Sequence, residues 1–196
     1  MTKPAYEPHT ALLVVDVQND FADPAGSLPV RGGDEVIDIV NAEIARALDA
    51  GSRIVYTQDW HPPHTPHFAQ DGGVWPVHCV QDTWGAQLHP GLTVAGEVVR
   101  KGTGGEDGYS GFSVRHPVSG DTQPTALHEL LRTGGIDRIV VAGLATDYCV
   151  VETVTDARML GYPVRVLREA IRAVDLEPGD GDRAITRMRD AGADVE

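Results

Sequence analysis

The sequence predicts an α/β fold with three layers, in which helices cover both faces of a parallel sheet. Short runs of aliphatic and β-branched residues recur along the 196-residue chain, as expected of strands buried on both faces. Segments with apolar residues at helical spacing separate most of these runs. Parallel strands need crossover connections of this kind, so the alternation indicates helices on either side of one sheet.

Five strands are predicted, each from an uninterrupted apolar run. They are residues 11–16, 53–57, 97–100, 138–142 and 163–167. Because these runs lack a polar face, they belong in the middle of the molecule and not at its surface.

Four helices are predicted between and after these strands. The first ends at Gly51, which is suited to a helix C-terminus. Its apolar residues, spaced three or four apart, are Ile37, Val40, Ile44 and Leu48. The second is expected to open at Pro124, since proline is favoured in a first helical turn. Its apolar residues are Leu127, Leu130 and Leu131. The third begins near Cys149, and the last covers residues 184–190.

One long segment, residues 58–95, breaks the alternation because it contains no convincing helix. It holds five of the eight histidines and all three tryptophans. A long irregular loop in a compact domain is usually functional. The acidic turn at residues 177–182 lacks the spacing of a calcium loop, so we predict that it is a solvated loop.

Length and composition predict one domain over residues 1–196, with no internal repeat or linker. A formal net charge of −13 argues against nucleic acid or an anionic membrane as a partner. No apolar run approaches the roughly 20 residues of a spanning helix, and the polar start does not resemble a secretory leader. With only two cysteines, Cys79 and Cys149, we expect a cytoplasmic protein in a reducing compartment.

Polar residues follow four of the predicted strands, at the edge where open α/β sheets bind ligands. Asp16 ends the first strand, Asp59 and His61 follow the second, Lys101 ends the third, and Cys149 follows the fourth. Each alone has an ordinary structural role, as a turn former, a solvated lysine or a buried cysteine. Together at one sheet edge they indicate a site.

Asp16, Lys101 and Cys149 form a chemically sensible set for nucleophilic catalysis. A carboxylate can take the thiol proton, an ammonium favours developing negative charge, and the sulfur attacks. The apolar run before Cys149 breaks at Gly143, and a helix is predicted to begin at the cysteine. A helix N-terminus would lower the pKa of this thiol from about 8.5 toward neutrality.

A second set, in the histidine-rich segment, has the composition of a metal site. Asp59, His61, His67 and His78 offer a carboxylate and imidazoles, which suit one divalent ion such as iron, manganese or zinc. His64 also lies within reach, so spacing leaves the choice between His64 and His67 open. Cys79, directly after His78, is expected to point away into packing.

Taken together and in order, the motifs of this chain resemble those of the nicotinamidase branch of the isochorismatase-like cysteine hydrolase family. The likeness spans nearly the whole chain. The motifs are Asp16-Val-Gln-Asn-Asp-Phe21, Gly26-Ser-Leu-Pro-Val30, Asp59-Trp-His61, Trp75-Pro-Val-His-Cys79, Gly85-Ala-Gln-Leu-His-Pro90, Lys101-Gly102, Tyr109-Ser-Gly-Phe112 and Gly143-Leu-Ala-Thr-Asp-Tyr-Cys149. The resemblance implies a six-stranded parallel sheet with a Rossmann-like strand order.

The resemblance also assigns roles to individual residues. It implies the catalytic triad and the metal ligands named above. It further implies a cis peptide between Leu144 and Ala145, with the N–H groups of Ala145 and Cys149 as an oxyanion hole. The residues implied to bind a flat aromatic ring are Phe21, Trp75 and Tyr109. Tyr148 occupies a variable position, and its role stays open.

The activity implied is hydrolysis of nicotinamide to nicotinate and ammonia through a thioester on Cys149, as in NAD salvage. Members of this family often self-associate, so a homo-oligomer is among the expectations. Two alternatives stay open: a related amidase acting on another small amide, or a non-catalytic protein that binds a metal through the histidines. A Cys149 that reacts with iodoacetamide well below about pH 8 would favour a hydrolase.

Overall fold

The computed structural model describes residues 6–196. Within these residues six parallel strands form one sheet and two short strands form a separate antiparallel hairpin, β4–β5. In chain order the strands are β1 (Thr10–Val15), β2 (Arg53–Asp59), β3 (Glu97–Lys101), β4 (Ser113–Arg115), β5 (Thr122–Pro124), β6 (Arg138–Leu144), β7 (Val164–Arg172) and β8 (Asp194–Val195). The predicted α/β class and six-stranded parallel sheet are confirmed.

The strand order of the large sheet is β3-β2-β1-β6-β7-β8. The chain first builds outward from β1 to β3 and then returns to the other side of β1 with β6. Val14 of β1, for example, pairs with Tyr56 on one side and Ala142 on the other. This is the Rossmann-like order that the resemblance implied, and it opens a crevice beyond the carboxyl ends of β1 and β6.

Helices cover both faces of the sheet. They are α1 (Asn19–Ala22), α2 (Val36–Asp49), α3 (Leu127–Thr133), α4 (Val151–Met159) and α5 (Asp180–Asp190). One buried cluster joins α2 to Leu12 and Val14 of β1, and a second joins α3, α4 and α5 to Leu13 and Val15. Successive residues of β1 thus face opposite layers, which explains why this central strand is apolar from Ala11 to Val15.

Two predicted helix starts are wrong. Pro124 ends β5 instead of opening a helix, which suits a residue without an N–H on a two-stranded hairpin. The helix α3 begins three residues later, where the hydroxyl of Thr125 accepts the N–H of Leu127. The last helix begins at Asp180 and not at residue 184, so the second half of the predicted 177–182 loop is helical. Acidic residues in that first turn interact favourably with the helix dipole.

Leu48 was expected to complete the apolar stripe of α2, but its side chain is half exposed. Ala47, one position earlier, is buried in its place. The apolar stripe therefore ends one residue earlier than the sequence suggested.

The segment between β2 and β3 is irregular, as predicted, apart from a three-residue 3-10 turn at Ala69–Asp71. Isolated bridges hold it together, including His61 with Val80 and Phe68 with Trp75. This segment lies over the carboxyl end of the sheet and brings its histidines to the crevice.

Residues 6–196 contain no helix with the length and apolar character needed to cross a membrane.

Candidate active site

The structure brings Asp16, Lys101 and Cys149 together at the carboxyl ends of β1, β3 and β6. The ammonium of Lys101 lies 2.7 Å from Asp16 Oδ2 and 3.6 Å from the sulfur of Cys149. All three side chains are buried. The predicted catalytic set is therefore one contact group in the folded chain.

Asp16 is fixed by Thr57 on the neighbouring strand. The Thr57 hydroxyl donates to Asp16 Oδ1 at 2.6 Å and accepts the Asp16 N–H at 3.2 Å. The backbone of Asp16 has a φ of 49°, a left-handed conformation that aspartate tolerates better than most residues. Burial raises the pKa of Asp16, and Lys101 offsets only part of that rise. A carboxylate with a raised pKa is a stronger base, as general-base catalysis requires.

Lys101 is a single buried ammonium between two carboxylates. Its nitrogen also contacts Asp59 Oδ1 at 2.5 Å and donates to the carbonyl of Gly108. Burial alone would lower the pKa of Lys101, but Asp16 and Asp59 raise it, so the side chain stays protonated. The same ammonium, with the nearby imidazoles, lowers the pKa of Asp59 against the effect of burial. The group is held together by charge pairing within the protein.

The expectation that a helix N-terminus lowers the pKa of Cys149 is wrong for the free protein. Cys149 lies in one π-helical turn, Thr146–Val150, and α4 begins only at Val151. Burial raises the pKa of the Cys149 thiol; Lys101 opposes this rise and Asp16 adds to it. Desolvation of the thiolate thus outweighs the favourable local charges. Burial therefore favours the protonated thiol of Cys149 in the free protein.

Three imidazoles form a buried cluster beside this group. One ring nitrogen from each of His61, His67 and His78 lies within 4.8 Å of the others. Burial lowers the pKa of His61 to about 3 and also lowers that of His78. Neutral imidazole is the form that binds metal ions.

The hydrogen bonds of two of these rings determine which nitrogen is free. His67 Nδ1 lies 2.7 Å from Asp107 Oδ1, and His78 Nδ1 lies 2.7 Å from the carbonyl of Pro76. Carboxylates and carbonyls only accept, so both Nδ1 atoms carry the proton and both Nε2 atoms keep a lone pair. Within the described residues, both ring nitrogens of His61 are buried without a hydrogen-bond partner. Unpaired imidazole donors of this kind fit a divalent metal ion.

Asp59 links the two halves of the site. One of its carboxylate oxygens contacts Lys101, and the other lies 3.9 Å from His61 Nε2. Gln18 fixes its backbone on both sides, accepting the Asp59 N–H and donating to the Asp59 carbonyl, each at 2.8 Å. Asp59 thus lies at the edge of the imidazole cluster, beside His61, while it also belongs to the group around Lys101.

The structure also distinguishes His67 from His64. His67 is buried in the cluster, whereas the His64 side chain is 78% exposed and contacts only groups of its own loop, among them Asp71 at 3.2 Å. Cys79 lies in the apolar core on the α2 side of the sheet, as expected. His67 is therefore the third imidazole of the cluster.

An aromatic-walled pocket of about 460 Å³, including its open mouth, lies over Cys149. The predicted residues Phe21, Trp75 and Tyr109 line it, and the Trp75 indole N–H donates to the Tyr109 hydroxyl at 2.8 Å. Tyr148, whose role the sequence left open, packs its ring edge-to-face on Trp75 with centroids 4.8 Å apart. Four further wall residues were not predicted: Leu28, Val30, Gly108 and Val174. The aromatic walls of the pocket suit a flat ring.

The turn after β6 shapes the remaining wall. The Leu144–Ala145 peptide is cis, as the resemblance implied, and both Ala145 and Cys149 line the pocket. Gly143 has a φ of 118°, and a Cβ there would lie 2.0 Å from the carbonyl oxygen of Val15. Only glycine allows β6 to approach the end of β1 this closely. The turn that carries Cys149 is thereby held close to Asp16.

Comparison with known proteins agrees with this arrangement. Residues 10–196 match the Isochorismatase domain. The chain is 41% identical to the nicotinamidase of Escherichia coli (strain K12), covering 95% of this chain and 93% of that protein. The structure of the pyrazinamidase of Pyrococcus horikoshii in complex with zinc is similar, with a TM-score of 0.86, 38% identity and coverage of 96% and 99%. PnC1 from L. infantum in complex with nicotinate also has a TM-score of 0.86, at 36% identity and 96% and 92% coverage. The chain belongs to the isochorismatase family.

Proposed function

We propose that this chain is a nicotinamidase, which hydrolyses nicotinamide to nicotinate and ammonia. The observation that carries this proposal is that two groups meet at one pocket: a buried thiol beside a carboxylate, and a cluster of three buried imidazoles. Similarity to nicotinamidases and to a relative in complex with nicotinate supports the same substrate. The thiol would then act on one side of the bound substrate ring, and the imidazole cluster would bind the other side.

In this proposal the pocket walls bind the pyridine ring. Trp75, Tyr109 and Tyr148 offer flat faces and edges for stacking, and Phe21 closes the opposite side. The residues that would hold one divalent ion are Asp59, His61, His67 and His78. When bound, zinc, iron or manganese supplies a Lewis-acidic position for a nitrogen lone pair. The zinc-bound relative supports a metal here.

Asp16 moves the protons of the reaction. A carboxylate oxygen of Asp16 lies within 4.8 Å of the Cys149 sulfur, close enough for transfer once substrate orders the pair. Asp16 takes the thiol proton as the sulfur attacks the carboxamide carbon, then gives it to the departing nitrogen, which leaves as ammonia. A thioester remains. Asp16 next takes a proton from water, whose oxygen attacks the thioester carbon, and returns it to Cys149 as nicotinate is released.

The negative charge that builds on the substrate oxygen needs donors that are already in place. The N–H groups of Ala145 and Cys149 are proposed to hold it, in the turn fixed beside Val15. Removing one such donor from an enzyme costs about 2.7–4 kcal/mol of transition-state stabilisation. Lys101 stays protonated behind the sulfur and holds the thiolate charge during attack.

We further propose that the enzyme works in the cytoplasm, where nicotinate re-enters NAD salvage. Both cysteines are free and buried, and a catalytic thiol needs a reducing compartment. The whole chain would act as one hydrolase domain.

The deciding experiment is ammonia release from nicotinamide by the purified, metal-loaded protein. A chelator-treated sample and a Cys149→Ala variant run beside it should both lose release. Pyrazinamide as a second substrate tests how strictly the pocket selects its ring. No release from the intact loaded protein would contradict the proposal and favour a related amidase with another substrate.

A further inference from the structure

The hairpin β4–β5 has no role in the proposed reaction, yet its residue Arg115 contacts Asp107, which contacts His67 of the histidine cluster. Asp107, eight residues before Arg115, is only 7% exposed. Its Oδ1 accepts from His67 Nδ1 at 2.7 Å, and its Oδ2 accepts from Arg115 at 3.0 Å. We propose that Asp107, braced by Arg115, is a positioning residue that selects the tautomer and ring orientation of His67 for metal binding. The metal itself rests on the proposed function.

Asp107 is held in place by hydrogen bonds with one residue, Arg115. Its N–H donates to the Arg115 carbonyl at 2.7 Å, and its carbonyl accepts the Arg115 N–H at 3.0 Å. Arg115 therefore fixes Asp107 through two backbone bonds and one side-chain bond. Arg115 ends β4, and its own register is set by pairing with Thr122 of β5. The hairpin thus acts as a brace behind the carboxylate.

The backbone of His67 is fixed separately, which leaves ring rotation as the open variable. The His67 N–H donates to the Thr65 hydroxyl at 3.2 Å, and that hydroxyl donates to the carbonyl of Gly105 at 2.6 Å. These bonds fasten the His67 loop to the Asp107 turn. They do not determine which edge of the imidazole faces the cluster.

Ring stacking does not determine it either. The His67 ring stacks on His61 with centroids 4.7 Å apart and planes 18° from parallel. A half-turn about the bond to the ring keeps that plane but exchanges Nε2 with Cε1 and Nδ1 with Cδ2. The stacked ring would then present carbon where a ligand nitrogen is required. The bond to Asp107 selects the productive orientation, because only Nδ1–H can donate to the carboxylate.

A carboxylate behind a metal-binding imidazole also has an electrostatic effect. It raises the basicity of the ligand nitrogen and adds negative charge near a cation, and losing such a partner typically costs about 10–100-fold in metal affinity. His78 has only the neutral carbonyl of Pro76 behind it, and no acceptor among residues 6–196 lies behind His61. His67 is therefore the imidazole through which the protein can tune the ion.

The same loop offers a matched control. Asp71 contacts the exposed imidazole of His64 at 3.2 Å, so it forms a second carboxylate–imidazole pair outside the cluster. An exposed pair of this kind contributes little. Asp71→Asn removes one charge from the loop that carries His67, and the amide oxygen of asparagine can still accept the Thr65 N–H that Asp71 Oδ2 accepts at 3.1 Å.

The test measures zinc(II) affinity of the full chain by competition with a chromophoric chelator. Asp107→Asn, which keeps the shape of the side chain, should bind zinc about 10–100-fold more weakly. Asp71→Asn should change affinity by less than about twofold, and Arg115→Met by less than about fivefold. Nitrogen-15 NMR of the metal-free protein should show His67 protonated at Nδ1 in wild type and as a mixture of tautomers in Asp107→Asn.

Wild-type zinc affinity in Asp107→Asn, or a His67 tautomer that does not change, would overturn the proposal. If Asp107→Asn does not fold, the same two measurements on Arg115→Met decide: partial mixing of tautomers supports the brace, and an unchanged tautomer contradicts it. These measurements do not depend on turnover. A wild-type chain that binds zinc but releases no ammonia would refute the nicotinamidase proposal and leave the assignment of Asp107 to be judged on its own data.

Discussion

The two halves of the site are built in different ways. Asp16, Lys101 and Cys149 stand at strand ends or in the turn that follows, and their charges are paired inside the protein. His61, His67 and His78 lie on the irregular segment after β2, and their free nitrogens face one another. The sheet fixes the first group directly. In the second group, the ring of His67 bonds to Asp107 from a distant loop and the ring of His78 bonds to the carbonyl of Pro76, two residues away. The residues proposed for catalysis are thus placed by the sheet, whereas the imidazoles proposed to bind the metal are placed by a segment that lies over it.

Asp59 belongs to both halves, since one oxygen of its carboxylate contacts Lys101 and the other approaches His61. If the halves act separately, a change in one should leave the measured property of the other intact. Each experiment below changes one half of the site at a time.

The largest expected effect comes from the nucleophile. Cys149→Ala should lower ammonia release from nicotinamide by about 10⁴-fold or more, because no other group nearby can form the thioester. Zinc affinity should stay at its wild-type value, since the imidazole cluster does not contact the sulfur through a hydrogen bond. A large loss of affinity in this variant would show that the two halves are one unit.

Lys101→Met tests how far the strand-end half depends on internal charge pairing. The variant leaves Asp16 and Asp59 buried without their ammonium, so the free energy of unfolding should fall by about 3–5 kcal/mol. Urea unfolding measures this loss. Adding Asp16→Asn to the variant should recover part of the stability, whereas a cost that simply adds would contradict the pairing.

Metal removal tests the loop half. An ion that binds only the folded chain should raise the free energy of unfolding by about 2.7 kcal/mol when its free concentration is a hundred times its Kd. Chelation should abolish ammonia release and lower Tm, while the rate of Cys149 alkylation at alkaline pH stays unchanged. An unchanged Tm would indicate that the imidazoles hold no ion.

The same division explains what could be predicted from the sequence. Apolar runs and helical spacing predicted five of the six sheet strands, and the polar residues that followed them predicted Asp16, Lys101 and Cys149. In a parallel sheet these positions converge by topology alone. The two-residue strand β8 is too short to produce a recognisable sequence pattern. Pro124 fits either a helix start or an edge strand, so the sequence alone did not distinguish the two.

The loop half depends on contacts between positions far apart in the chain. The sequence leaves both His64 and His67 within reach of the cluster, and only the fold separates them: His64 is exposed, whereas His67 is buried and bonds to Asp107, forty residues further along the chain. Thr57 was missed for the same reason: its bond to Asp16 crosses between strands. The pKa of Cys149 was misjudged because a local signal, the nearby helix, was weighed without the burial that only the fold reveals.

The smallest expected effect concerns the resting state of that thiol. Burial raises the pKa of Cys149, so the reaction well below pH 8 that the sequence suggested as the mark of a hydrolase is not expected of the free protein. Iodoacetamide should react slowly near pH 7 and faster as pH rises past about 8.5, the range in which an ordinary thiol ionises. The folded chain keeps a proton there that the unfolded chain loses, so this thiol also makes the protein less stable as pH rises above that value.

Asp16 adds to the rise in the pKa of Cys149, and its removal therefore separates thiolate formation from catalysis. Asp16→Asn should lower that pKa, and each unit of lowering raises the thiolate fraction about tenfold while the thiol predominates. Alkylation of the Cys149 peptide at pH 8, followed by mass spectrometry, should be several-fold faster than in wild type, although ammonia release is lost. Slower alkylation would mean that Asp16 already holds the thiol proton in the free enzyme. The strand-end half would then be activated before substrate arrives, and its base would have no proton left to take during attack.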